Sequence, residues 1–383
     1  MRIGFDGKRA TNNLTGLGNY SRSLIEQLAA FFPQNQYFVY TPKIKDNARI
    51  SYFLGIKNIL TKLPETAAPL WRTAGIKKQL VKDQIAVFHG LSHELPLGLR
   101  KTGIPGIVTM HDLIFLKFPQ YFDFIDRMIY HIKCRYACKH AERIVAISEC
   151  TKRDIISFFH TDPAKIQVIY QSCDDLFKTP ANEGIRYTVR KKYQLPAKYI
   201  LNVGTIETRK NLITLIKALP EIDPNYPLVV VGKPTAYKKE VEQEIITLGL
   251  TARVIFLQNI PFDDLPTIYQ MASLFVYPSL YEGFGIPIIE ALYSGVPVVA
   301  ATGSCLEEAG GPGSRYVDPT DHNGFAAAIN EILASQSTQE QMRTEGLTYV
   351  QRFNNEIITS EIMDLYKKVI AAHKINEHAK DRD

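Results

Sequence analysis

The stretch LFVYPSLYEGFGIPIIEALYSGVPVVA, residues 274–300, contains the pattern from which the fold can be predicted. It begins and ends with the apolar runs 274–278 and 296–300, which are rich in the β-branched and aromatic residues that favour strands. Between them, Pro287 suits the first turn of a helix and Gly295 suits its end. A strand, a helix and a second apolar strand form the repeating unit of a parallel sheet covered by helices.

The same pattern recurs in two series along the chain. Their apolar runs are nearly continuous, as in strands buried on both faces. They lie at 2–6, 37–41, 85–90, 106–110, 143–148 and 166–170, and then at 199–204, 227–232, 253–257, 274–278 and 296–300. The polar segment 174–198 separates the two series as a linker. We therefore predict an α/β protein of two doubly wound, Rossmann-like domains, 1–180 and 181–355, facing a cleft where such sheets bind ligands. A one-sided helix and a charged tail, 356–383, are expected near the junction.

The composition is that of a folded, soluble protein. Of the 383 residues, 45% are hydrophobic and 22% are charged, and the length suits two domains. The N-terminus turns polar after Phe5 and no apolar run reaches about 18 residues, so we expect no signal peptide, no membrane span and a cytoplasmic location. Five scattered cysteines fit reduced thiols there. Cys134 and Cys138 lack a second pair at zinc spacing, so buried thiols are the preferred interpretation.

The net charge of +6 is unevenly distributed. Residues 1–180 contain 25 Lys and Arg against 15 Asp and Glu, whereas the remainder contains 20 against 24. A basic half indicates an anionic partner, either nucleic acid or an anionic membrane surface, and ordinary solvated lysines are the alternative.

Two glycines precede the first long helix, in the loop DGKRATNNLTGLGNY at 6–20. Gly16 and Gly18 would let a ligand approach backbone N–H groups at a helix N-terminus, where anions are favoured. A phosphate site is one interpretation and a simple turn is the other. The spacing does not match the G-x-G-x-x-G fingerprint of dinucleotide binding.

Two cations lie between a strand and a helix in VGTIETRKNLITLIKAL, residues 203–219. The strand ends at Gly204, and the helix follows Arg209 and Lys210. Cations at a helix start oppose its dipole unless an anion lies nearby. A diphosphate would satisfy both, because arginine offers a planar fork and lysine a point charge. Solvated side chains, one of them paired with Glu207, are the alternative.

His111 and Asp112 follow directly after the predicted strand 106–110, at its carboxyl end. A histidine there can hydrogen-bond a sugar hydroxyl, and its near-neutral pKa permits proton transfer. Structural roles are the alternative, with the histidine bonded inside the protein and Asp112 capping the next turn.

Two glutamates occupy different places in the opening stretch. Glu282 lies in the loop, and Glu290 lies one turn inside the helix, with Gly283 and Gly285 exposing backbone N–H groups between them. Carboxylate acceptors and N–H donors in one small volume suit a polyhydroxylated ligand that carries phosphate. Acids that merely complement a helix dipole are the alternative.

These segments together resemble the retaining nucleotide-sugar glycosyltransferases of family 4, which have the GT-B fold, and among them bacterial polysaccharide mannosyltransferases. The resemblance runs from residue 3 to about residue 370. The motifs that carry it, in the family's order, are TGLGNYSRSL, TMHDLIF, AERIVAISECTKRDI, VGTIETRKNL and YEGFGIPIIEAL.

The resemblance implies a role for each residue of the glutamate stretch. Glu290 would bind the ribose hydroxyls of the nucleotide, and Glu282 would hold hydroxyls of the donor sugar. Backbone N–H groups of Gly283, Phe284 and Gly285 would support the sugar there.

It also implies how the diphosphate is held. Arg209 and Lys210, which follow Gly204, would grip it, and Gly16 and Gly18 would approach it from the other domain.

His111 would contact the transferred sugar near its reacting carbon. The family implies no metal cofactor, so Arg209 and Lys210 would supply the positive charge instead. The Asp-x-Asp at 381–383 lies in a charged tail with no strand before it, which does not suit a metal site.

The implied reaction moves a hexose from a nucleoside diphosphate sugar to an acceptor hydroxyl with retention at the anomeric carbon. GDP-mannose is the first candidate donor, with UDP-hexoses open. The acceptor would be a glycan or a lipid-linked glycan in surface polysaccharide synthesis, and no nucleic acid is expected. A nucleotide-sugar epimerase or hydrolase of the same fold and a non-catalytic sugar-binding protein are the alternatives.

The chain departs from the family pattern at three places, one of which is the aromatic motif before the last helix, reduced here to RFNNE at 352–356. Thr205 follows Gly204 where many relatives have arginine, so the diphosphate would meet one cation fewer. Before Asp174, the sequence Gln171, Ser172, Cys173 replaces the frequent Asn-Gly-Val, which predicts a differently shaped segment near the site.

The predicted helix at 124–143 mixes apolar and basic residues. They are Ile125, Met128, Ile129 and Ile132, with Arg127, Lys133, Arg135 and Lys139. Peripheral contact with an anionic membrane is one interpretation, and a core-facing helix with a solvated face is the other.

Overall fold

The computed structural model describes residues 1–65 and 70–380, with side chains up to residue 375. The acidic tail at 381–383 therefore lies outside the described residues. The chain forms two compact units, Met1–Gln171 together with the chain from Asn355 onward, and Ser172–Asn354. It thus passes between the units twice.

The first unit is built on one parallel sheet of seven strands in the order β3-β2-β1-β4-β5-β6-β7. The strands are β1 Arg2–Asp6, β2 Gln36–Tyr40, β3 Ile59–Lys62, β4 Val87–Gly90, β5 Gly106–Met110, β6 Arg143–Ala146 and β7 Ile166–Val168. Their helices are α1 Lys8–Asn12, α2 Gly16–Phe31, α3 Ala48–Leu54, α4 Ile76–Lys82, α5 Ile114–Lys117, α6 Phe124–His140 and α7 Glu149–Phe159.

Both faces of this sheet are buried, which is why its strands are apolar at successive positions. Tyr37 and Val39 of β2 contribute to one hydrophobic cluster, whereas Phe38 and Tyr40 contribute to the cluster on the opposite face.

The second unit is built on a parallel sheet of six strands in the order β10-β9-β8-β11-β12-β13. The strands are β8 Ile200–Val203, β9 Leu228–Val231, β10 Val254–Leu257, β11 Leu274–Tyr277, β12 Val298–Ala301 and β13 Arg315–Val317. Their helices are α8 Glu183–Tyr193, α9 Leu212–Ala218, α10 Lys238–Thr247, α11 Leu265–Gln270, α12 Ile286–Tyr293, α13 Leu306–Gly310, α14 His322–Ala334 and α15 Gln336–Val350. Two doubly wound α/β units are thus confirmed.

The last helix, α16 Asn355–Lys380, belongs to the first unit, where it packs on α2. The hydroxyl of Tyr366 lies 2.7 Å from Nδ1 of the buried His89 at the end of β4. Residues 172–180, which we assigned to the first domain, are part of the second unit, because Phe177 packs edge-on against Phe262 and Tyr269.

Shorter turns connect these elements. Turns of 3-10 helix lie at Leu99–Thr102, Pro119–Tyr121, Pro163–Lys165, Asp175–Lys178, Thr208–Lys210, Leu219–Glu221, Thr251–Arg253, Phe262–Asp264 and Gln351–Phe353, and a π-helical turn lies at Trp71–Gly75. Within the described ranges, no helix combines the length and the apolar character that crossing a membrane requires.

Each sheet has one switch point, which is the place where the chain reverses the direction in which it adds strands. It lies between β1 and β4 in the first unit and between β8 and β11 in the second. Because the connections diverge there, they leave a crevice at the carboxyl ends of the two strands, and open α/β sheets bind ligands in that crevice.

Candidate functional site

The switch point of the second sheet carries a compact cluster of charged side chains. Arg209 and Lys210 end the turn after β8, and Glu282 lies in the loop after β11. Nη1 of Arg209 is 2.7 Å from one carboxylate oxygen of Glu282, and Nζ of Lys210 is 2.5 Å from the other. Parallel strands place both loops at the same edge of the sheet, which explains how residues more than 70 positions apart meet.

Two hydroxyl groups complete the surroundings of the Glu282 carboxylate. The hydroxyl of Ser279 donates to it over 2.5 Å and that of Tyr277 over 3.1 Å. Lys210 in turn donates to the Tyr277 oxygen over 2.5 Å. The carboxylate side chain is only 12% exposed and the two cations 18% each, so the cluster lies in a largely desolvated place.

This environment decides the protonation state of Glu282. Burial by itself raises its pKa, but the charges of Lys210 and Arg209 and the hydrogen bonds of Lys210 and Ser279 outweigh burial and lower it to about 2. Glu282 is therefore an anion at neutral pH, and it is poorly suited to accept or deliver a proton.

Arg209 is held by more than Glu282. Its Nη2 is 2.6 Å from the Glu207 carboxylate, and its Nη1 donates to the carbonyl oxygen of Tyr281 over 2.6 Å. The alternative interpretation from the sequence was a solvated cation paired with Glu207. Arg209 does pair with Glu207, but its guanidinium is largely buried. Asn211, in the left-handed conformation at φ 56°, ends the turn and binds the carbonyl oxygens of Pro278 and Pro319.

The backbone of the glutamate loop is fixed by its neighbours. The thiol of Cys305 donates to the carbonyl oxygen of Phe284 over 2.7 Å and lies 3.1 Å from that of Glu282. The buried Phe284 ring packs edge-on against Phe353. A Cβ at Gly285 would lie 2.8 Å from the Cβ of Ala309, so the close approach of α13 requires a glycine there.

Gly204 is similarly enclosed. Its φ angle is 155°, which residues other than glycine rarely adopt, and a Cβ there would touch the aliphatic part of Lys210. Its carbonyl oxygen would be 1.8 Å from a Cβ at Gly232, in the loop after β9, so the two loops pack backbone to backbone.

Glu290 lies inside α12, in a different environment from Glu282. The hydroxyl of Tyr269 donates to its carboxylate over 2.9 Å. Burial raises its pKa to about 7; the Tyr269 hydrogen bond opposes the shift, and the charge of Asp174 adds to it. The two glutamates thus differ in charge state near neutrality, because only Glu282 faces the paired cations.

In the first unit, His111 is buried and both of its ring nitrogens have protein partners. Nε2 donates to the carbonyl oxygen of Leu91 over 2.8 Å, which leaves Nδ1 to accept from the side-chain amide of Gln171 over 3.0 Å. Its backbone N–H donates to Nε2 of His93. Burial first, and then the charge of His93, lower the His111 pKa to about 3.

His111 is therefore a neutral imidazole with a fixed tautomer. A role towards a sugar requires that one of its two bonds be exchanged for a ligand bond. The predicted capping role of Asp112 is observed, since its carboxylate accepts from the backbone N–H of Ile114 over 3.1 Å. Gln171, singled out as a departure from the family pattern, is the partner of His111.

The two glycines before α2 have different surroundings. A Cβ at Gly18 would lie 1.8 Å from the carbonyl oxygen of Asn13, so internal packing accounts for this glycine, whereas a Cβ at Gly16 would meet nothing within 4 Å. The buried guanidinium of Arg22 donates to the carbonyl oxygens of Ala10 and Asn13, each over 2.7 Å. It thereby holds the loop in place.

The apolar residues of α6 do not face the core. Ile125, Met128, Ile129 and Ile132 are 41 to 65% exposed, and the helix buries Cys134, Ala137 and Cys138 instead. The core-facing interpretation of those four residues is therefore wrong.

All five cysteines are buried thiols. In the part of the chain that the structure describes, no group of three or more His, Cys, Asp or Glu side chains is arranged to hold a metal ion.

Several residues of the second-unit cluster had not been singled out from the sequence. Tyr277, Ser279 and Cys305 all contact Glu282, and Tyr269 contacts Glu290. Two of them could have been found, because Tyr277 lies next to the end of the predicted strand 274–278 and Ser279 lies in the glutamate loop itself. The other two come from distant parts of the chain, and no local pattern marks them.

Comparison with known proteins assigns each half of the chain to a family. The family described as "Glycosyltransferase Family 4" matches residues 14–175, and the one described as "Glycosyl transferases group 1" matches residues 187–348. The O-antigen chain mannosyltransferase B of Escherichia coli is 29% identical over 390 residues, covering 96% of this chain and all of that protein. The O-antigen chain mannosyltransferase RfbU of Salmonella typhimurium is 29% identical over 69% of this chain and 67% of its own length.

Solved structures agree in fold. HepE from Anabaena, crystallised with UDP and glucose, superposes with a TM-score of 0.75 at 20% identity over 96% of this chain and all of that one. Sucrose-phosphate synthase from Thermosynechococcus elongatus does so with a TM-score of 0.76 at 22% identity over 97% of this chain and all of that one. With two Rossmann-like units and both halves matched in order, the chain has the GT-B fold and belongs to the family 4 glycosyltransferases.

Proposed function

We propose that this glycosyltransferase moves a hexose, with mannose as first candidate, from a nucleoside diphosphate sugar to a hydroxyl of a glycan or lipid-linked glycan. The transfer retains the anomeric configuration and requires no metal ion. The observation that carries the proposal is the pair of cations, Arg209 and Lys210, fixed by Glu282 at the switch point of the second sheet.

The cluster suits a diphosphate that becomes a leaving group. Arg209 and Lys210 together carry two positive charges against the one of Glu282, and Glu207 is more exposed than any of the three. Both cations retain N–H donors beyond those used on Glu282, and these donors can bind phosphate oxygens. Cations already held in place stabilise charge that grows on the leaving diphosphate, because no reorganisation is needed at the moment of reaction.

The chemistry of Glu282 favours attack on the same face of the sugar over a covalent intermediate. A carboxylate with a pKa of about 2, bonded to two cations and two hydroxyls, is a weak nucleophile and a weak base. In the proposed mechanism the departing diphosphate takes the proton of the acceptor hydroxyl. Glu282 then orients the cations and accepts hydrogen bonds from the donor sugar.

The choice of donor and pathway rests on relatives. The two O-antigen mannosyltransferases favour a mannosyl donor, GDP-mannose, and a role in polysaccharide biosynthesis. HepE, which resembles the chain only in fold, was crystallised with UDP and glucose, so UDP-hexoses are the second choice. We place the enzyme in the cytoplasm, where nucleotide sugars would reach it, with peripheral contact to an anionic membrane through α6.

Nucleotide binding followed by turnover tests this function. GDP, UDP and ADP, alone and as hexose conjugates, should be screened by thermal shift against the wild type, Lys210→Ala and the control Lys217→Ala, whose side chain is a surface partner of Glu244. We expect one nucleotide to stabilise the wild type and the control, and Lys210→Ala to lose most of that shift. The absence of a shift with every nucleotide would contradict the proposal.

Donor turnover distinguishes a transferase from the rival enzyme class, a nucleotide-sugar epimerase or hydrolase. A transferase consumes donor in proportion to added glycan acceptor and yields a glycoside whose anomeric configuration NMR can assign. A nucleotide-sugar epimerase or hydrolase consumes donor at the same rate without acceptor. Unchanged transfer after treatment with EDTA is the result expected for a metal-independent enzyme.

A further inference from the structure

One anchor of the glutamate loop, residues 278–285, lies outside the loop itself. The structure describes this loop throughout, and it contains no helix or strand, so side chains from elsewhere must hold its backbone in place. Cys305, which follows β12 and starts α13, is one of them. Its side chain is fully buried.

The thiol of Cys305 lies against two carbonyl oxygens of the loop. Its Sγ is 2.7 Å from the carbonyl oxygen of Phe284 and 3.1 Å from that of Glu282. The cysteine is itself held by α13, because its own carbonyl oxygen accepts from the backbone N–H of Ala309. Helix α13 packs in turn on α12 and α15. The thiol therefore fixes the loop to a buried part of the second unit.

These two contacts also set the direction of two N–H groups. In a planar trans peptide, the carbonyl group of one residue and the N–H group of the next point in opposite directions. The peptide bonds of the loop are trans. Because the carbonyl groups of Glu282 and Phe284 face the thiol, the N–H groups of Gly283 and Gly285 point to the opposite side of the loop. Backbone donors held in one direction can bind the hydroxyl oxygens of a sugar without reorganisation.

We propose that Cys305 is a positioning residue for the donor sugar. Its thiol holds the loop so that the N–H groups of Gly283 and Gly285 meet hydroxyl groups of the sugar. The cations Arg209 and Lys210 hold the diphosphate, so Cys305 contributes to the sugar part of the donor affinity and not to the nucleotide part. The inference rests on the proposed function, because it concerns how the same donor is held.

Three substitutions separate the hydrogen bond of the thiol from its packing. Cys305→Ala removes the donor and leaves a small void, whereas Cys305→Val removes the donor and fills the space. Cys305→Ser keeps a donor at this position. Cys138→Ala, which removes a buried thiol from the core of the first unit, is the matched control.

Calorimetric titration of the full chain with pairs of probes measures the sugar part of the affinity. The pairs are GDP with GDP-mannose and UDP with UDP-glucose. For each pair, the Kd of the bare nucleotide is divided by the Kd of its sugar conjugate. A general loss of folded structure weakens both members of a pair alike and leaves this ratio unchanged, so the ratio reports on the loop and not on stability.

We expect the ratio to fall about tenfold in Cys305→Ala and in Cys305→Val for the pair that binds, as for the loss of a hydrogen bond at the sugar. The Kd of the bare nucleotide should stay within about twofold of the wild type, because the cations are unchanged. Cys305→Ser and Cys138→Ala should keep the ratio of the wild type.

Two outcomes would overturn the inference alone. An unchanged ratio in Cys305→Ala and Cys305→Val would show that the thiol does not act on the sugar. A ratio as low in Cys305→Ser as in Cys305→Ala would trace the effect to packing instead of the hydrogen bond. A wild type that binds no member of either pair would contradict the proposed function together with the inference.

Discussion

Glu282 is the residue on which the charge balance of the proposed donor site depends, and glutamine can replace it with almost the same shape. In Glu282→Gln the two cations lose their shared anion, so the local charge becomes more positive by one. We expect nucleotide affinity to stay the same or increase and kcat to fall by about 100-fold, because the cations and the donor sugar are no longer oriented. Steady-state kinetics and nucleotide titration measure the two effects separately.

The same variant distinguishes the mechanisms. Under same-face attack, intact-protein mass spectrometry of Glu282→Gln with donor and without acceptor shows no glycosylated enzyme. A glycosyl adduct on any carboxylate, in the variant or in the wild type, would contradict the mechanism. Glu331→Gln, on the surface of the same unit, should behave as the wild type in both measurements.

The raised pKa of Glu290 leads us to predict that the stability of the protein depends on pH. Its folded-state pKa is raised from 4.5 to about 7, so its contribution to stability is fully present below pH 4.5 and is lost as the pH rises through 7. This raised pKa corresponds to a loss of at most about 3 kcal/mol of unfolding free energy, because solvent screens the charge of a partly exposed residue. Glu290→Gln, which keeps an acceptor for Tyr269, should gain stability over the wild type between pH 5 and 8, as followed by Tm.

Nucleotide binding should respond in the opposite direction. If the Glu290 carboxylate accepts hydrogen bonds from ribose hydroxyls, the affinity of the wild type should rise as the pH passes 7, and that of Glu290→Gln should not. Glu331→Gln serves as the control, with a stability curve parallel to that of the wild type. A flat difference in Tm between Glu290→Gln and the wild type would show that Glu290 is ionised throughout.

At the scale of the element, all the central strands that the structure describes could be predicted from the sequence, but of the edge strands only β7 and β10 could. The central strands β8, β9, β11 and β12 match apolar runs because every one of their residues is buried, and the edge strand β10 still has the apolar run VIFL. β13, in contrast, has an exposed or half-buried side chain at every position. β3, another edge strand, has one fully buried residue. An edge strand has a neighbour on one side only, and where its sequence is short and mixed, as in β3 and β13, no period distinguishes it from a loop.

Helix α6 shows a second limit of structure prediction from the sequence. Its apolar residues recur with the spacing of a buried stripe, and yet they are exposed, because the period of a sequence shows which residues share a face and not what that face contacts. The proposed contact is an anionic membrane, supported by Arg127, Lys133, Arg135 and Lys139 on the same helix.

Vesicle sedimentation tests that contact. The wild type should bind vesicles with anionic lipid at low salt and be released at high salt, since each basic residue near the surface contributes about 1 kcal/mol that salt screens. Ile125→Asn with Ile129→Asn should abolish binding, and Ile246→Asn with Leu347→Asn, equally exposed in the second unit, should not. Equal sedimentation of the wild type and the α6 double variant would contradict the membrane contact.

At the scale of the whole molecule, it was easier to predict which residues belong to the candidate sites than to predict the hydrogen bonds and ion pairs that those residues make. Strand ends and glycine loops pointed to Arg209, Lys210 and Glu282 because parallel strands present their carboxyl ends together. That Glu282 joins the two cations, and that His111 is bonded at both ring nitrogens, depends on side chains far away in the sequence: Lys210 is 72 positions from Glu282, and Gln171 is 60 positions from His111. Local sequence has no period that encodes such pairs.

The return of α16 to the first unit gives a prediction about how far a perturbation extends. Tyr366 is buried, and its hydroxyl is a partner of His89, whose other nitrogen lies 2.8 Å from the Thr109 hydroxyl. Tyr366→Phe leaves Nδ1 of a buried imidazole without that partner, which should cost about 1–3 kcal/mol of unfolding free energy. Because α16 and the cation cluster belong to different compact units, nucleotide affinity should not change.

Hydrogen exchange resolves the two effects in one experiment. Tyr366→Phe should speed exchange in β4, α2 and α16 of the first unit, and nucleotide should slow exchange around 204–210 and 277–290 in the wild type and the variant alike. Tyr349→Phe, which removes a hydroxyl bonded to the carbonyl oxygen of Glu308 in the second unit, is the matched control and should leave the first unit unchanged. Faster exchange around 277–290 in Tyr366→Phe, or weaker nucleotide binding, would instead show that the C-terminal helix couples the two units energetically, because a change confined to the first unit would then have reached the proposed donor site.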